Sequence, residues 1–242
     1  MTAASAPHRF HKPANCAVTS PVISKGFRAL SALASPDPLR RIWALERITE
    51  RLLWKLPKET VERYLEIPAS LPQSALEGAR LFADRELMLA VIPKGGEVAE
   101  VGTWRGEFSK AICRVVRPAR FHLIDIDFSS FDWSGLECEY VRHQGDSSTV
   151  LSEFPTASLD WIYIDGDHSH EGALKDLEAA HRALKPGALI TCNDYTNWAS
   201  LAVTPYGVAR AVNEFVIREG YRVLGFALSP SGNHDLLIQR PG

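Results

Sequence analysis

The sequence predicts an α/β protein built on a doubly wound, largely parallel sheet. Two observations carry this. From residue 97 onward, short β-rich apolar runs alternate with helical segments, the pattern of a parallel sheet covered on both faces. The chain then closes on two strands separated only by Ser229-Pro-Ser-Gly-Asn233, a hairpin that makes the last strand antiparallel to its neighbour.

The elements follow in order. Residues 1–36 carry four Lys/Arg, no Asp or Glu, and much Ala, Ser and Pro. They read as a flexible basic tail, with a transit peptide as the alternative and room for a short helix over Val22–Ala34. Asp37-Pro38 is an N-cap followed by proline at the first helical position. Leu39, Ile42, Leu45, Ile48, Leu52 and Leu56 then recur every three or four residues, a helical stripe. This helical extension, 37–73, is a lid or a dimer contact, or packs on its own domain; it also holds a short helical stretch near Val61–Leu65. Ser74-Ala-Leu-Glu77 is a capping box, expected to open a helix running to about Val91. Strands are expected at Val98–Val101, Phe121–Ile126, Cys138–Arg142, Trp161–Ile164, Ala188–Cys192, Tyr221–Leu228 and His234–Gln239. Helices are expected near Glu107–Val116, Ser147–Phe154, Glu171–Leu184 and Gly207–Glu219.

Composition narrows the function. The 242 residues are 45% apolar and 23% charged, ordinary for a globular chain with a sizeable core. A net charge of −2 supplies no global field to recruit nucleic acid. No apolar run approaches the roughly 18 residues of a spanning helix, so no membrane role and a cytoplasmic location are expected. Cys16, Cys113, Cys138 and Cys192 form no C-x-x-C pair, which reads as free thiols serving as small core residues in a reducing compartment.

In an open α/β sheet, ligands bind beyond the carboxyl ends of the strands. After the first strand stands Glu100-Val-Gly102-Thr-Trp-Arg-Gly106. Gly102 permits a tight turn, and Gly106 lets a helix begin near an anionic group. The G-x-x-x-G spacing differs from the G-x-G-x-x-G of a dinucleotide site. The second strand ends in Asp125-Ile-Asp127, where an acidic side chain can accept both hydroxyls of a ribose; Asp125 directly ends the apolar run. Gly145-Asp146-Ser147 suits an adenine edge, or simply caps the next helix.

These motifs, with D-W-I-Y-I-D-G-D-H-S-H-E and L-K-P-G-A-L-I-T-C-N-D-Y, resemble in order those of class I S-adenosylmethionine-dependent methyltransferases. The likeness spans about residues 74–242 and is greatest to small-molecule O-methyltransferases of the catechol-type and macrolide-sugar branch. It implies a Rossmann-like seven-stranded sheet, with Glu100, Gly102 and Gly106 lining the methionine moiety. Asp125 would lie on the ribose, and Asp146 and Ser147 at the adenine.

Two further strands end in Ile164-Asp165-Gly-Asp167-His168 and Cys192-Asn193-Asp194-Tyr195. Asp165 and Asp194, brought together by neighbouring parallel strands, suit a hard cation such as Mg²⁺. The metal would orient a substrate hydroxyl and lower its pKa, and His168 would take the proton. The resembling metal-dependent enzymes place an asparagine where Tyr195 stands, which leaves the third ligand to Asp167 or a water. Asp165 and Asp167 otherwise hold loop backbone, and Asp160, His143 and His181 read as structural. Tyr195, Asn197, Trp198 and Tyr206 are the expected substrate-facing side chains. The function expected is methyl transfer to a small-molecule hydroxyl. Alternatives are a metal-independent methyltransferase, a nicotinamide-dependent oxidoreductase on a similar sheet, and a non-catalytic adenosylmethionine-binding scaffold.

Overall fold

The computed structural model describes residues 32–65, 68–199 and 204–242. Residues 1–31 of the expected tail, and with them most of the Val22–Ala34 helix, lie outside them. The chain divides into two compact units, Met1–Leu56 and Pro57–Gly242.

The first unit contains helix α1 (Pro38–Leu53). Asp37 caps it, accepting the backbone N–H of Leu39 at 3.0 Å, with Pro38 at the first helical position. Five residues of the apolar stripe, Leu39, Ile42, Leu45, Leu52 and Leu56, are exposed.

The second unit holds α2 (Lys58–Tyr64), a short 3₁₀ turn (Gln73–Leu76), β1 (Arg80–Phe82), α3 (Arg85–Leu89), β2 (Glu97–Val101), α4 (Glu107–Val116), β3 (Arg120–Asp125), β4 (Tyr140–Gln144) and α5 (Ser147–Glu153). It continues through β5 (Leu159–Ile164), α6 (His170–Ala183), β6 (Leu184–Cys192), the short pair β7 (Trp198–Ala199) and β8 (Thr204–Pro205), α7 (Val208–Glu219), β9 (Arg222–Ala227) and β10 (Asp235–Gln239). The main sheet runs β1-β9-β10-β6-β5-β2-β3-β4, with β10 antiparallel to both neighbours and every other pairing parallel.

Both faces are covered because the strands alternate apolar side chains to opposite sides. Val98, Phe121, Leu123, Trp161 and Tyr163 pack with Met88, Leu89, Ile112 and Val116 of α3 and α4. Ala99, Val101, Ile124, Ile162 and Ile190 pack with Leu151, Leu177, Ala180, Val212 and Phe215 of α5, α6 and α7. The strand order reverses at β2, which pairs with β3 on one side and β5 on the other. That reversal opens a crevice at the strands' carboxyl ends.

Three expectations are corrected. The helix expected from Ser74 to Val91 is broken into a 3₁₀ turn, a strand and a five-residue helix. Gly78 takes a left-handed φ of +79°, and Asp84 starts a new helix by accepting the N–H of Leu87 at 2.7 Å. The strand between them, β1, joins β9 at the sheet edge, so the sheet has eight strands rather than seven. Finally, Cys113 and Cys138 form a disulfide with Cα atoms 5.8 Å apart, whereas Cys192 is a buried free thiol. The bridge joins α4 to the segment entering β4, and four separate thiols are not what the chain contains. Among the described residues, no helix is long and apolar enough to cross a membrane.

Candidate active site

A cleft of about 650 Å³ lies over the carboxyl ends of β2, β3, β4 and β5. Its walls include Gly102, Trp104, Asp125, Asp127, Asp146, Ser147, Asp165 and His168. Four chain reversals at the strand tips therefore share one space, as the sheet topology requires.

Gly102 shapes the first tip. Its φ is +77°, and a Cβ there would stand 1.8 Å from the carbonyl oxygen of Asp165. Only glycine lets the β2 and β5 tips approach this closely. Asp125 then pins the turn. Its Oδ2 accepts the backbone N–H of Thr103 at 2.8 Å and of Trp104 at 2.9 Å, while Oδ1 accepts that of Asp127 at 3.0 Å. Trp104 adopts a left-handed φ of +45° under this restraint and exposes its ring, two-thirds accessible, at the cleft. Asp127 holds its own turn by accepting the N–H and hydroxyl of Ser129.

Glu100 and Gly106, expected to line the methionine moiety, stand beside the β2 loop. Glu100 is buried and accepts the Ser109 hydroxyl at 2.5 Å. Burial pushes its carboxyl up to about 8, against the lowering effect of that hydrogen bond, so it is neutral at pH 7. Gly106 opens α4 at φ +82°, where a Cβ would meet the Phe131 ring at 2.7 Å. Neither belongs to the cleft wall. Glu100, two residues before Gly102, is held in the core by Ser109, and Gly106 packs against the Phe131 ring.

At the β4 tip, Asp146 and Ser147 both line the cleft. Asp146 also caps α5, its Oδ1 accepting the Thr149 N–H at 2.9 Å and the hydroxyls of Thr149 and Ser148. Ser147 donates to Oδ1 of Asp176 on α6 at 2.6 Å.

The β5 and β6 tips bring Asp165, His168 and Asp194 together. Nε2 of His168 lies 3.2 Å from Oδ1 of Asp165 and 3.3 Å from Oδ2 of Asp194. One ligand atom from each of the three lies within 4.8 Å of the others. Burial lowers the His168 pKa, but Asp165 and Asp194 together outweigh it, and the net direction is upward. Burial and the Asp165 charge raise that of Asp194. Asp194 has a left-handed φ of +54°, a conformation aspartate tolerates better than most residues. The Tyr206 ring stacks on His168, centroids 4.5 Å apart and planes at 17°. Gly207 packs directly under the same loop, its N–H donating to the His168 carbonyl at 2.8 Å.

The other candidates make hydrogen bonds within the fold. Asp167 accepts the N–H and hydroxyl of Ser169. Tyr195 donates its hydroxyl to Asn213 at 2.6 Å. Asn193 donates to Tyr163 and Asp235 in a buried network that also takes in Arg85. Asp160 accepts from the Glu97 N–H and from Lys185, fixing strand register. His143 meets His122, and His181 meets Tyr221. The buried Arg85–Tyr163–Asp235–Asn193 network carried no sequence signal, since its members are up to 150 positions apart.

Residues 99–195, from β2 through the β6 tip, match a family model described as a methyltransferase domain. The m1A22 tRNA methyltransferase TrmK of Bacillus subtilis shares the fold at 18% identity, over 66% of this chain and 67% of that chain, with a TM-score of 0.50. A SAM-dependent methyltransferase from Aquifex aeolicus matches at 18% identity over 64% of this chain and 87% of that one, with a TM-score of 0.48. No curated protein matches the sequence significantly. Residues 99–195, the stretch that carries every strand tip of the cleft, are thus the part of the chain that is similar to a methyltransferase domain.

Proposed function

We propose that the protein transfers the methyl group of S-adenosylmethionine to a hydroxyl of a small molecule, with His168 as the base. The observation that carries this reading is the continuity of one cleft. The carboxylates suited to ribose and adenine, Asp125 and Asp146, share it with Asp165 and His168, next to Asp194.

When bound, S-adenosylmethionine supplies an electrophilic sulfonium methyl. The new bond is oxygen to carbon, the bond that breaks is carbon to sulfur, and the hydroxyl proton goes to the imidazole of His168. The β2 loop, pinned by Asp125, presents its backbone to the donor. Asp165 and Asp194 both face Nε2, which keeps the ring oriented, and Tyr206 restricts its tilt. Holding reactants at about 3–3.5 Å is the main contribution such a site makes, and a placed base adds roughly 10²- to 10⁴-fold.

The donor set also fits a hard divalent cation. Carboxylate oxygens of Asp165 and Asp194 stand within 4.8 Å of each other, and Mg²⁺ takes few protein ligands. Asp165 and Asp194 would hold it, and its charge would lower the pKa of the acceptor hydroxyl.

A small acceptor is favoured over a nucleic acid by charge. Asp125, Asp127, Asp146, Asp165 and Asp167 all line the cleft, which opposes a phosphate backbone. The test is methyl transfer from labelled S-adenosylmethionine to a panel of phenol and sugar hydroxyls, with and without EDTA. His168→Ala is expected to lower turnover by 10²-fold or more while leaving affinity for S-adenosylhomocysteine within about twofold. Full activity in the variant would remove His168 as the base.

A further inference from the structure

Among the described residues, one buried side-chain polar atom lacks a hydrogen-bond partner: Oδ2 of Asp176. Asp176 is 2% exposed and stands in the middle of α6, on the face that also buries Ala173, Leu177 and Ala180. An apolar residue would suit that face. A carboxylate there is costly, both in helix propensity and in desolvation, and a buried polar atom left unpaired calls for a reason.

Its neighbours supply one. Oδ1 accepts the Ser147 hydroxyl at 2.6 Å. On the other side, a Cβ added to Gly166 would lie 2.8 Å from Oδ2, so the backbone between Asp165 and Asp167 packs directly on the carboxyl group. Ser147 and Gly166 both line the main cleft, one at the β4 tip and the other at the β5 tip, two residues before His168. Burial raises the pKa of Asp176 to about 6, against the Ser147 hydrogen bond, and Asp146 and Asp167 raise it further.

We propose that Asp176 is a positioning residue that ties the β4 tip to the β5 tip, fixing the adenosyl end of the cleft relative to the base. The proposal rests on the methyl-transfer reading above. Asp176 touches neither the donor nor the acceptor. It acts through Ser147 by a hydrogen bond and through Gly166 by close packing, so loss of its carboxyl group frees two loops at once.

Calorimetric titration with S-adenosylhomocysteine tests this without knowledge of the acceptor. Asp176→Ala is expected to weaken binding at least tenfold. Asp176→Asn, which keeps an oxygen for Ser147 and the same shape against Gly166, is expected to restore affinity to within about threefold. Ser147→Ala is expected to weaken binding at least fivefold, and the Ser147→Ala, Asp176→Ala double variant to bind no more weakly than the worse single variant. Merely general destabilisation would instead give losses that add. If Asp176→Ala does not fold, Asp176→Leu, which fills the same space without an acceptor for Ser147, takes its place in the same cycle with Ser147→Ala. Wild-type affinity in either Asp176→Ala or Ser147→Ala, or additive losses, would overturn the proposal. Wild-type protein that fails to bind would overturn the methyl-transfer reading and this one together. Wild-type binding unchanged in the variants overturns this one only.

Discussion

At the scale of single residues, the cleft is a set of carboxylates in different environments. Asp125 and Asp146 are satisfied by backbone N–H groups, Asp165 and Asp194 by an imidazole, and Glu100 by a hydroxyl under burial. Glu100 makes the sharpest electrostatic prediction. Its pKa rises from an ordinary carboxyl value of 4.5 to about 8 on folding, chiefly through desolvation. The folded state therefore holds its proton more tightly than the unfolded chain does. The associated stability is fully present below pH 4.5 and is lost as pH rises to about 8. Glu100→Gln, which keeps the shape and a partner for Ser109, is expected to flatten this decline. Melting temperatures across pH 5–9 would show a smaller fall for the variant than for wild type; parallel curves would contradict the assignment. Which carboxylates reach the cleft was partly legible in the sequence. Asp125 and Asp165 end apolar runs, and a strand's end points at the ligand side whatever its partners are. Asp176 was not legible, because in the one-dimensional pattern it looks like any polar residue in an amphipathic helix.

At the scale of elements, loops do the positioning and the strands set where the loops stand. Gly102 is the clearest case, since its φ of +77° and the Asp165 carbonyl both forbid a side chain. Gly102→Ala is expected to destabilise the protein by about 2–4 kcal/mol, the range for strain at a special backbone position combined with overpacking. Urea unfolding would measure it, and a change below about 0.5 kcal/mol would contradict the close approach. The disulfide between Cys113 and Cys138 ties two elements together away from the cleft wall. It ties α4 to the segment that follows Phe128, Phe131 and Trp133, whose rings cluster beside the cleft loop. Reduction is expected to lower stability by about 2–4 kcal/mol for a loop of this length, read as a drop in melting temperature with reductant; an unchanged temperature would contradict it. Elements with strong periodicity were foreseen closely, Glu107–Val116 among them. The stretch 74–91 misled because a capping box and spaced apolar residues also fit a broken turn–strand–helix, and the pairing of Arg80–Phe82 with β9 is a tertiary fact. Likewise the disulfide depends on a 5.8 Å approach that spacing along the chain does not encode.

At the scale of the whole molecule, the reversal of strand order at β2 is what turns separate motifs into a site. β3 and β4 lie to one side of β2, β5 and β6 to the other, so residues from 102 to 194 meet at one edge of the sheet. Alternation of strands and helices made this arrangement readable in advance, and the closing hairpin foretold an antiparallel last strand, which the structure places between β6 and β9. The central claim is that the shared edge is an adenosyl-donor cleft whose loop is held by Asp125. Titration calorimetry with S-adenosylmethionine, on wild type and on Asp125→Ala, tests it most directly. The account predicts saturable one-to-one binding by wild type and at least a tenfold loss in the variant. No binding by wild type, or equal affinity in the two proteins, would contradict it.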